Sequence, residues 1–121
     1  RAMKLPVSAP FHCALMAPAA DAMAEALDRA AMRAPVVPLV ANVSAAKATD
    51  PAAIRDLLVE QVTGTVRWRE CILAMGAMGC DRFVEIGSGK VLTGLMKRLM
   101  PEAQAGAVGT PADIEALLKT L

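Results

Sequence analysis

The 121 residues are enough for one domain with a packed core, because 55% of them are hydrophobic. The net charge of +1, with two phenylalanines, one tryptophan and no tyrosine, argues against nucleic-acid binding, which needs basic patches and aromatic stacking platforms. Pro, Gly or charged residues interrupt every apolar stretch before it reaches membrane-spanning length, and no charged-then-apolar signal segment opens the chain. We expect a soluble protein that binds neither nucleic acid nor membrane.

The three cysteines, Cys13, Cys71 and Cys80, indicate the redox setting. Their number is odd, and their spacing to the single histidine is not typical of a metal site. Free thiols are typical of reducing compartments. The sequence therefore predicts a cytoplasmic protein with no disulfide framework and no metal site.

The first predicted elements are a helix and a strand. Apolar residues recur at helical spacing from Met16 to Ala30, with charged residues on the other side, which predicts an amphipathic helix. The valine-rich stretch 36–43 follows Pro35 and predicts a buried strand, whose first half Pro38 shifts toward a sheet edge.

Two helices are predicted next. Asp50 and Pro51 supply an N-cap and a first-turn proline, and the buried face of the helix consists of Ile54, Leu57, Leu58 and Val62. The following helix is predicted from about Arg67 to Met78.

The remaining elements alternate between strand and helix. Residues 83–86 predict a short strand, and a Gly-Ser-Gly turn leads into a helix that runs from Lys90 to about Met100, where Pro101 stops it. Residues 105–108 predict a weak strand, and Thr110 caps the last helix. This alternation predicts an α/β fold, a partial parallel sheet with flanking helices.

His12 is the single histidine and the first candidate for acid–base chemistry. Histidine is the side chain that exchanges protons near neutral pH. Pro10 restricts the backbone before it, and the following helix holds it on the other side. A surface or core histidine without chemistry is the alternative reading.

Gln61 and Asn42 are polar residues in apolar surroundings. Gln61 lies three and four residues after Leu58 and Leu57, so its side chain falls on the apolar stripe of its helix and needs hydrogen-bond partners. It is either a satisfied core glutamine or a partner of a functional group. Asn42, after the valine-rich strand, either bonds near a site or simply ends the strand.

Two tempting motifs are weak. The Gly87-Ser88-Gly89-Lys90 run lacks the glycine and hydroxyl positions of a phosphate loop, and Leu92 occupies the third glycine position of the dinucleotide pattern. It is interpreted as a tight strand-to-helix turn. Cys13 beside His12 suggests a thiol nucleophile, but adjacent residues in an extended segment point to opposite faces, which favours a packing role.

Four segments carry a family resemblance. The run Pro6–Met16 resembles the histidine segment of malonyl-CoA:acyl carrier protein transacylases and of the related acyltransferase domains of fatty acid and polyketide synthases. Further segments agree in order and rough spacing: 36–43, 58–62 with 66–68, and 84–95. Four segments in register make the resemblance specific.

The resemblance implies the carboxyl-terminal portion of such an enzyme. Residues 1–10 would be the exit strand of its small ferredoxin-like subdomain, and residues 11–121 would belong to its large α/β-hydrolase-like subdomain. The opening residues, from Arg1, have no initiator methionine and read as the middle of an extended segment. We therefore expect a fragment whose upstream half is its partner.

The resemblance also implies a reaction and its residues. A serine takes a malonyl group from malonyl-CoA and passes it to the phosphopantetheine thiol of acyl carrier protein, with no bound cofactor. His12 would be the base, the backbone carbonyl of Gln61 its orienter, and Phe11 a substrate-pocket residue that favours malonyl over methyl-bearing groups. Arg1, Lys97 and Arg98 match basic positions near the carrier-protein entrance; otherwise they are ordinary solvated charges.

The family's nucleophile elbow, oxyanion donors and carboxylate-gripping arginine have no counterpart here, since no G-x-S-x-G occurs and Ser8, Ser44 and Ser88 are poor nucleophiles. The chain should therefore be inactive alone. Two alternatives stay open: a non-catalytic α/β module that binds an acyl carrier protein, and an acyltransferase piece of a polyketide synthase.

Overall fold

The computed structural model describes residues 9–121. Arg1 and most of the proposed exit strand lie outside the described residues, whereas Ala9 and Pro10 are in irregular structure. The chain divides into two compact units, one ending at Ala74 and the other running from Met75 to Leu121. Each unit is described by itself.

The first unit begins with a tight turn that leads into paired helices. A 3₁₀ turn, Ala14–Met16, precedes α1, Ala17–Asp28, and α1 packs against α2, Pro51–Thr63. The Asp50 carboxylate accepts a hydrogen bond from the Ala53 amide, so α2 has the N-cap that its sequence predicts. Arg55 of α2 forms an ion pair with Asp28 at the end of α1, 3.1 Å apart.

The valine-rich stretch differs from its prediction as a buried strand. Only β1, Leu39–Val40, is extended in a ladder, and it pairs antiparallel with β2, Lys47–Ala48. Val36 is 103% exposed, and Val37 is also exposed. The prediction of a buried strand over 36–43 is therefore wrong within the described residues, because Pro38 interrupts the run before pairing begins.

The described part of the first unit has four buried apolar residues. Ala41, directly after β1, is buried together with Ile54 of α2 and with Cys71 and Ile72 of α3, Trp68–Ala77. The Cys71 Sγ lies 3.5 Å from the Ala41 carbonyl oxygen, to which it donates. Burial raises the pKa of the Cys71 thiol, so this cysteine stays protonated and serves packing.

The second unit contains a parallel pair of strands. β3, Arg82–Ile86, pairs in parallel with β4, Gln104–Val108, with Arg82 opposite Gln104 and Ile86 opposite Val108. The crossover between them carries α4, Val91–Leu99, and α5, Pro111–Leu118, follows β4. Thr110 and Asp113 form a capping box at the start of α5. The predicted α/β class with a small parallel sheet and flanking helices is confirmed.

The second unit is held together by buried apolar residues and by a hydrogen bond near the end of the chain. Met96 of α4 and Val108 of β4 are its buried apolar residues. Arg82 at the start of β3 donates to the Thr120 hydroxyl at 2.7 Å, which joins the sheet to the chain after α5. Among the helices in residues 9–121, none combines the length and apolar character needed to cross a bilayer.

Candidate active site

His12 lies in a compact turn immediately before the first helices. The Phe11 amide donates to the Ala9 carbonyl across Pro10, and the Met16 amide donates to the Cys13 carbonyl where the 3₁₀ turn begins. Between them His12 has φ of 58°, the left-handed conformation. Histidine adopts this conformation more readily than most residues, yet it costs free energy, and such positions cluster at functional sites.

The structure brings His12 and Gln61 together, although 49 residues separate them. The Nδ1 of His12 lies 2.9 Å from the backbone carbonyl oxygen of Gln61. Because a carbonyl oxygen only accepts, Nδ1 carries the proton of this hydrogen bond. A neutral imidazole in this tautomer has its lone pair on Nε2, the form required of a general base.

The end of α2 makes the Gln61 carbonyl available. The Gly64 amide donates to the Glu60 carbonyl as the last bond of the helix, and α2 ends at Thr63. The carbonyls of the last helical turn lack partners within their own helix. The Gln61 carbonyl is one of these, and the His12 imidazole supplies its partner.

The Gln61 side chain has a separate partner. Its Oε1 accepts a hydrogen bond from the Asn42 Nδ2 at 3.3 Å, and both residues are half-buried. Gln61 therefore bonds to His12 through its backbone and to Asn42 through its side chain. The amide of a glutamine on an apolar stripe needs such a partner.

Asn42 belongs to the turn that follows β1, residues 42–44, and two hydrogen bonds from Arg67 anchor this turn. The Asn42 carbonyl accepts from the Arg67 amide at 2.9 Å, and the Ser44 carbonyl accepts from the Arg67 guanidinium at 3.1 Å. Arg67 immediately precedes α3. The turn thus connects the end of α2 to the start of the next helix.

Phe11 and Cys13 flank His12 along the chain. Phe11 is 55% exposed, so the described residues leave much of its ring uncovered. The Cys13 thiol donates to the Pro10 carbonyl at 3.1 Å, and all three cysteines are free. The contact with Pro10 gives Cys13 a local structural role.

Of the three residues predicted to bind the carrier protein, only Lys97 and Arg98 lie in the described part of the chain. Lys97 and Arg98 are exposed in the last turn of α4, in the second unit. Arg1 lies outside the described residues. Cations in a last helical turn interact favourably with the helix dipole whether or not they bind a partner, so the role of Lys97 and Arg98 stays a prediction.

The Glu85 side chain, near the end of β3, is hydrogen-bonded to the first turn of α4. The Glu85 carboxylate accepts from the Thr93 amide and the Thr93 hydroxyl, each at 2.8 Å, and from the Leu92 amide at 3.2 Å. These hydrogen bonds, led by that of the Thr93 amide, lower the pKa of Glu85. The Glu85 carboxylate therefore occupies the amides of Leu92 and Thr93 in the first turn of α4.

Two further features of the described residues were considered as sites: a cleft and groups of metal-ligating side chains. A cleft of about 390 Å³ lies in the second unit between the sheet and α5, and none of the predicted site residues lines it. Within residues 9–121, no three His, Cys, Asp or Glu side chains form a group suited to a metal ion.

Sequence reasoning did not predict the bonds of Asn42 and Glu85. Asn42 follows a predicted strand, and this position does not indicate which residue its side chain bonds to. Glu85 precedes the helix that it caps by six residues, outside the usual N-cap position, so the sequence carries no local signal for it.

Comparison with known proteins places this chain in a family. No family model matches the chain. The malonyl CoA-acyl carrier protein transacylase of Salmonella typhimurium is 48% identical over 118 residues, which are 98% of this chain and 38% of the relative. The chain belongs to the malonyl CoA-acyl carrier protein transacylase family. The predicted resemblance is thereby confirmed.

Solved transacylase structures share the fold. The acyl-carrier-protein-S-malonyltransferase of Bartonella henselae is 56% identical, with a TM-score of 0.85 over 96% of this chain and 37% of that chain. A malonyl-transacylase solved in complex with its type II PKS acyl-carrier protein is 40% identical, with a TM-score of 0.83 over 97% of this chain and 38% of that one.

The chain spans less than two-fifths of the length of the transacylases it matches. That extent agrees with the expected carboxyl-terminal portion. The assignment of residues 1–10 and 11–121 to two transacylase subdomains stays a prediction.

Proposed function

We propose that this chain supplies the general base of malonyl transfer from malonyl-CoA to the phosphopantetheine thiol of an acyl carrier protein. The 2.9 Å hydrogen bond between the His12 Nδ1 and the Gln61 carbonyl carries the proposal. Membership in the transacylase family supports the reaction, and one relative is solved with a carrier protein. The proposal needs no bound cofactor or metal, because malonyl-CoA and the carrier thiol are substrates.

His12 would act first on a serine hydroxyl. The Nε2 lone pair takes the hydroxyl proton as the serine oxygen attacks the malonyl thioester carbonyl. The resulting imidazolium gives that proton to the departing CoA thiolate, which leaves a malonyl ester on the serine. The serine would come from transacylase sequence that these 121 residues do not contain.

The second half-reaction reverses the proton path. Nε2 takes the proton of the carrier's phosphopantetheine thiol, and the thiolate attacks the malonyl ester. His12 then returns the proton to the serine oxygen as the ester bond breaks. Malonyl is now a thioester on the carrier, and the serine hydroxyl is restored.

Gln61 would hold the imidazole of His12 in one tautomer and one orientation during both half-reactions. Its carbonyl accepts the Nδ1 proton, which fixes the tautomer and the ring orientation in the way that an aspartate does in a serine triad. Unlike that aspartate, the carbonyl carries no full charge.

The test uses a chimera in which this chain replaces the matching segment of the Salmonella typhimurium transacylase. Intact mass after exposure to malonyl-CoA reports the malonyl ester, and the relative's unmatched part alone is the control. We expect an adduct only in the chimera. His12→Ala in the folded chimera should slow acylation by roughly 10²–10⁴-fold.

A folded chimera that forms no adduct would contradict the proposal. If that chimera still bound the carrier protein, the non-catalytic carrier-binding module would be the better interpretation. An unchanged acylation rate in His12→Ala would remove His12 from the mechanism. Circular dichroism and cooperative unfolding establish that each protein is folded before its rate is compared.

A further inference from the structure

We infer that Asn42 is a positioning residue for the transfer reaction and acts on His12 through Gln61. The inference rests on the proposed function, because it assigns Asn42 a task at the same site. Its basis is the continuous path of contacts from the Asn42 amide to the Gln61 side chain and from the Gln61 backbone to the imidazole.

The path begins at a well-anchored residue. The Asn42 backbone carbonyl is held by the Arg67 amide at 2.9 Å, and the preceding residue, Ala41, is buried and accepts from the Cys71 thiol. Asn42 is therefore held in place by its own bond to Arg67, just before α3, and by the bond of its neighbour Ala41 to Cys71 within α3. Its side-chain amide is left to point at Gln61.

Gln61, in the middle of the path, has a backbone that must be held in one conformation. Gln61 lies in the last turn of α2, where helices fray because successive carbonyls lack helical partners. Its carbonyl must keep a defined direction toward His12 if it is to select one imidazole tautomer. The bond from Asn42 to the Gln61 Oε1 ties this last turn to the anchored segment.

A hydrogen bond at this point has a bounded effect. Removal of one neutral hydrogen bond commonly changes an equilibrium or a rate by about 2- to 10-fold. Loss of the base itself is expected to cost far more. Asn42 therefore adjusts the precision of the site and carries out no proton transfer.

The experiment compares three variants of the chimera. Asn42→Leu keeps the volume but removes the donor, Asn42→Asp keeps a bond because the Gln61 amide can rotate to donate to the new carboxylate, and Gln61→Ala removes the side chain but keeps the carbonyl. Ser44→Ala, in the same turn, is the matched control. Its hydroxyl contacts only the nearby Ala46 amide among the described residues.

The expected result is a kcat about 2- to 10-fold lower in Asn42→Leu and in Gln61→Ala, with KM for malonyl-CoA unchanged. The double variant should be no slower than either single variant, because both remove the same bond. Asn42→Asp should recover most of the lost kcat, and Ser44→Ala should match the unmodified chimera. Effects that multiply in the double variant would overturn the inference.

A spectroscopic signal separates positioning from folding. The ¹⁵N resonances of His12 are assigned in the labelled chimera by their loss in His12→Ala. In Asn42→Leu we expect a smaller share of the neutral imidazole to carry its proton on Nδ1. A lowered kcat with an unchanged tautomer would show that Asn42 only supports the fold, which overturns the positioning role.

The two proposals fail in different ways. If His12→Ala abolishes acylation while Asn42→Leu and Gln61→Ala retain full kcat, only the inference about Asn42 is wrong. If His12→Ala leaves acylation unchanged, the proposed function itself is wrong.

Discussion

Val43 packs directly against Gly64, the residue immediately after the helix that carries Gln61. A Cβ placed on Gly64 would lie 2.9 Å from the Cγ2 of Val43 and 3.0 Å from the Glu60 carbonyl oxygen. The first distance is shorter than real Cβ contacts and the second is tighter than most of them, so an added Cβ would force its neighbours to shift. The turn after β1 therefore approaches the end of α2 as closely as a glycine allows, one residue from the bond between Asn42 and Gln61.

The first prediction concerns this close approach. Gly64→Ala should destabilise the chimera by about 1–3 kcal/mol through overpacking and should also lower kcat, because the end of α2 moves with the Gln61 carbonyl. Urea unfolding and acylation kinetics measure the two effects. Gly94→Ala is the matched control, since a Cβ there meets nothing within 4 Å inside α4 and alanine is the better helix former. Equal stability of the two variants would contradict the prediction.

The second prediction concerns acyl selection by Phe11. The resemblance to polyketide acyltransferases implies that phenylalanine before the histidine accompanies malonyl, whereas serine there accompanies methyl-bearing substrates. Phe11→Ser should therefore lower the preference for malonyl-CoA over methylmalonyl-CoA, by a factor within the roughly 10- to 200-fold that one methylene is worth. The ratio of the two kcat/KM values measures it. Leu15→Ser, also exposed and four residues away, should leave that ratio unchanged.

The third prediction concerns the carrier protein. If Lys97 and Arg98 contact an acidic carrier, replacing both with glutamate should raise KM for the carrier several-fold, and the difference should shrink at high salt. KM for malonyl-CoA should not change. Lys119→Glu, an exposed charge just after α5, is the control. A carrier KM that is insensitive to both charge reversals would reduce Lys97 and Arg98 to solvated charges.

The fourth prediction concerns acid stability and Glu85. Its folded pKa lies below the ordinary value of 4.5, because the Thr93 amide and hydroxyl bond to the ionised form. The stabilisation is therefore fully present above pH 4.5 and is lost as the pH falls through the lowered folded pKa. Glu85→Gln should have a lower urea midpoint near neutral pH and a smaller further loss on acidification to about pH 3.

Glu102→Gln is the control for this measurement, because Glu102 is exposed in the turn after α4. It should follow the unmodified protein at every pH. If Glu85→Gln lost stability on acidification as steeply as the unmodified protein, the bonds from Glu85 to the start of α4 would not contribute to acid sensitivity.

Much of the fold was predictable from local signals. The proline and cap residues at Asp50 and Thr110 predict helix starts that the structure has, and Pro101 follows the end of α4 as expected. These signals are reliable because a cap or a proline acts on backbone groups within one turn of itself. The parallel pairing of β3 with β4 follows from a helical crossover between two strands.

The pairing of the valine-rich stretch was not predictable in the same way. The valine-rich stretch looks like a buried strand, yet Val36 and Val37 are exposed and the short ladder uses Lys47 and Ala48 as partners. Hydrophobic composition indicates that a stretch suits a sheet, but the partner that covers it is chosen by the rest of the fold.

Local sequence signals predicted the helix starts and the α/β alternation, and the family motifs identified His12 and Gln61 as candidates. Only the tertiary structure decided that the imidazole meets the Gln61 carbonyl and that Asn42 meets the Gln61 side chain. The reason is physical: caps and periodicity act over a few residues, whereas a hydrogen bond between residues 49 apart exists only after packing has brought two helix ends together.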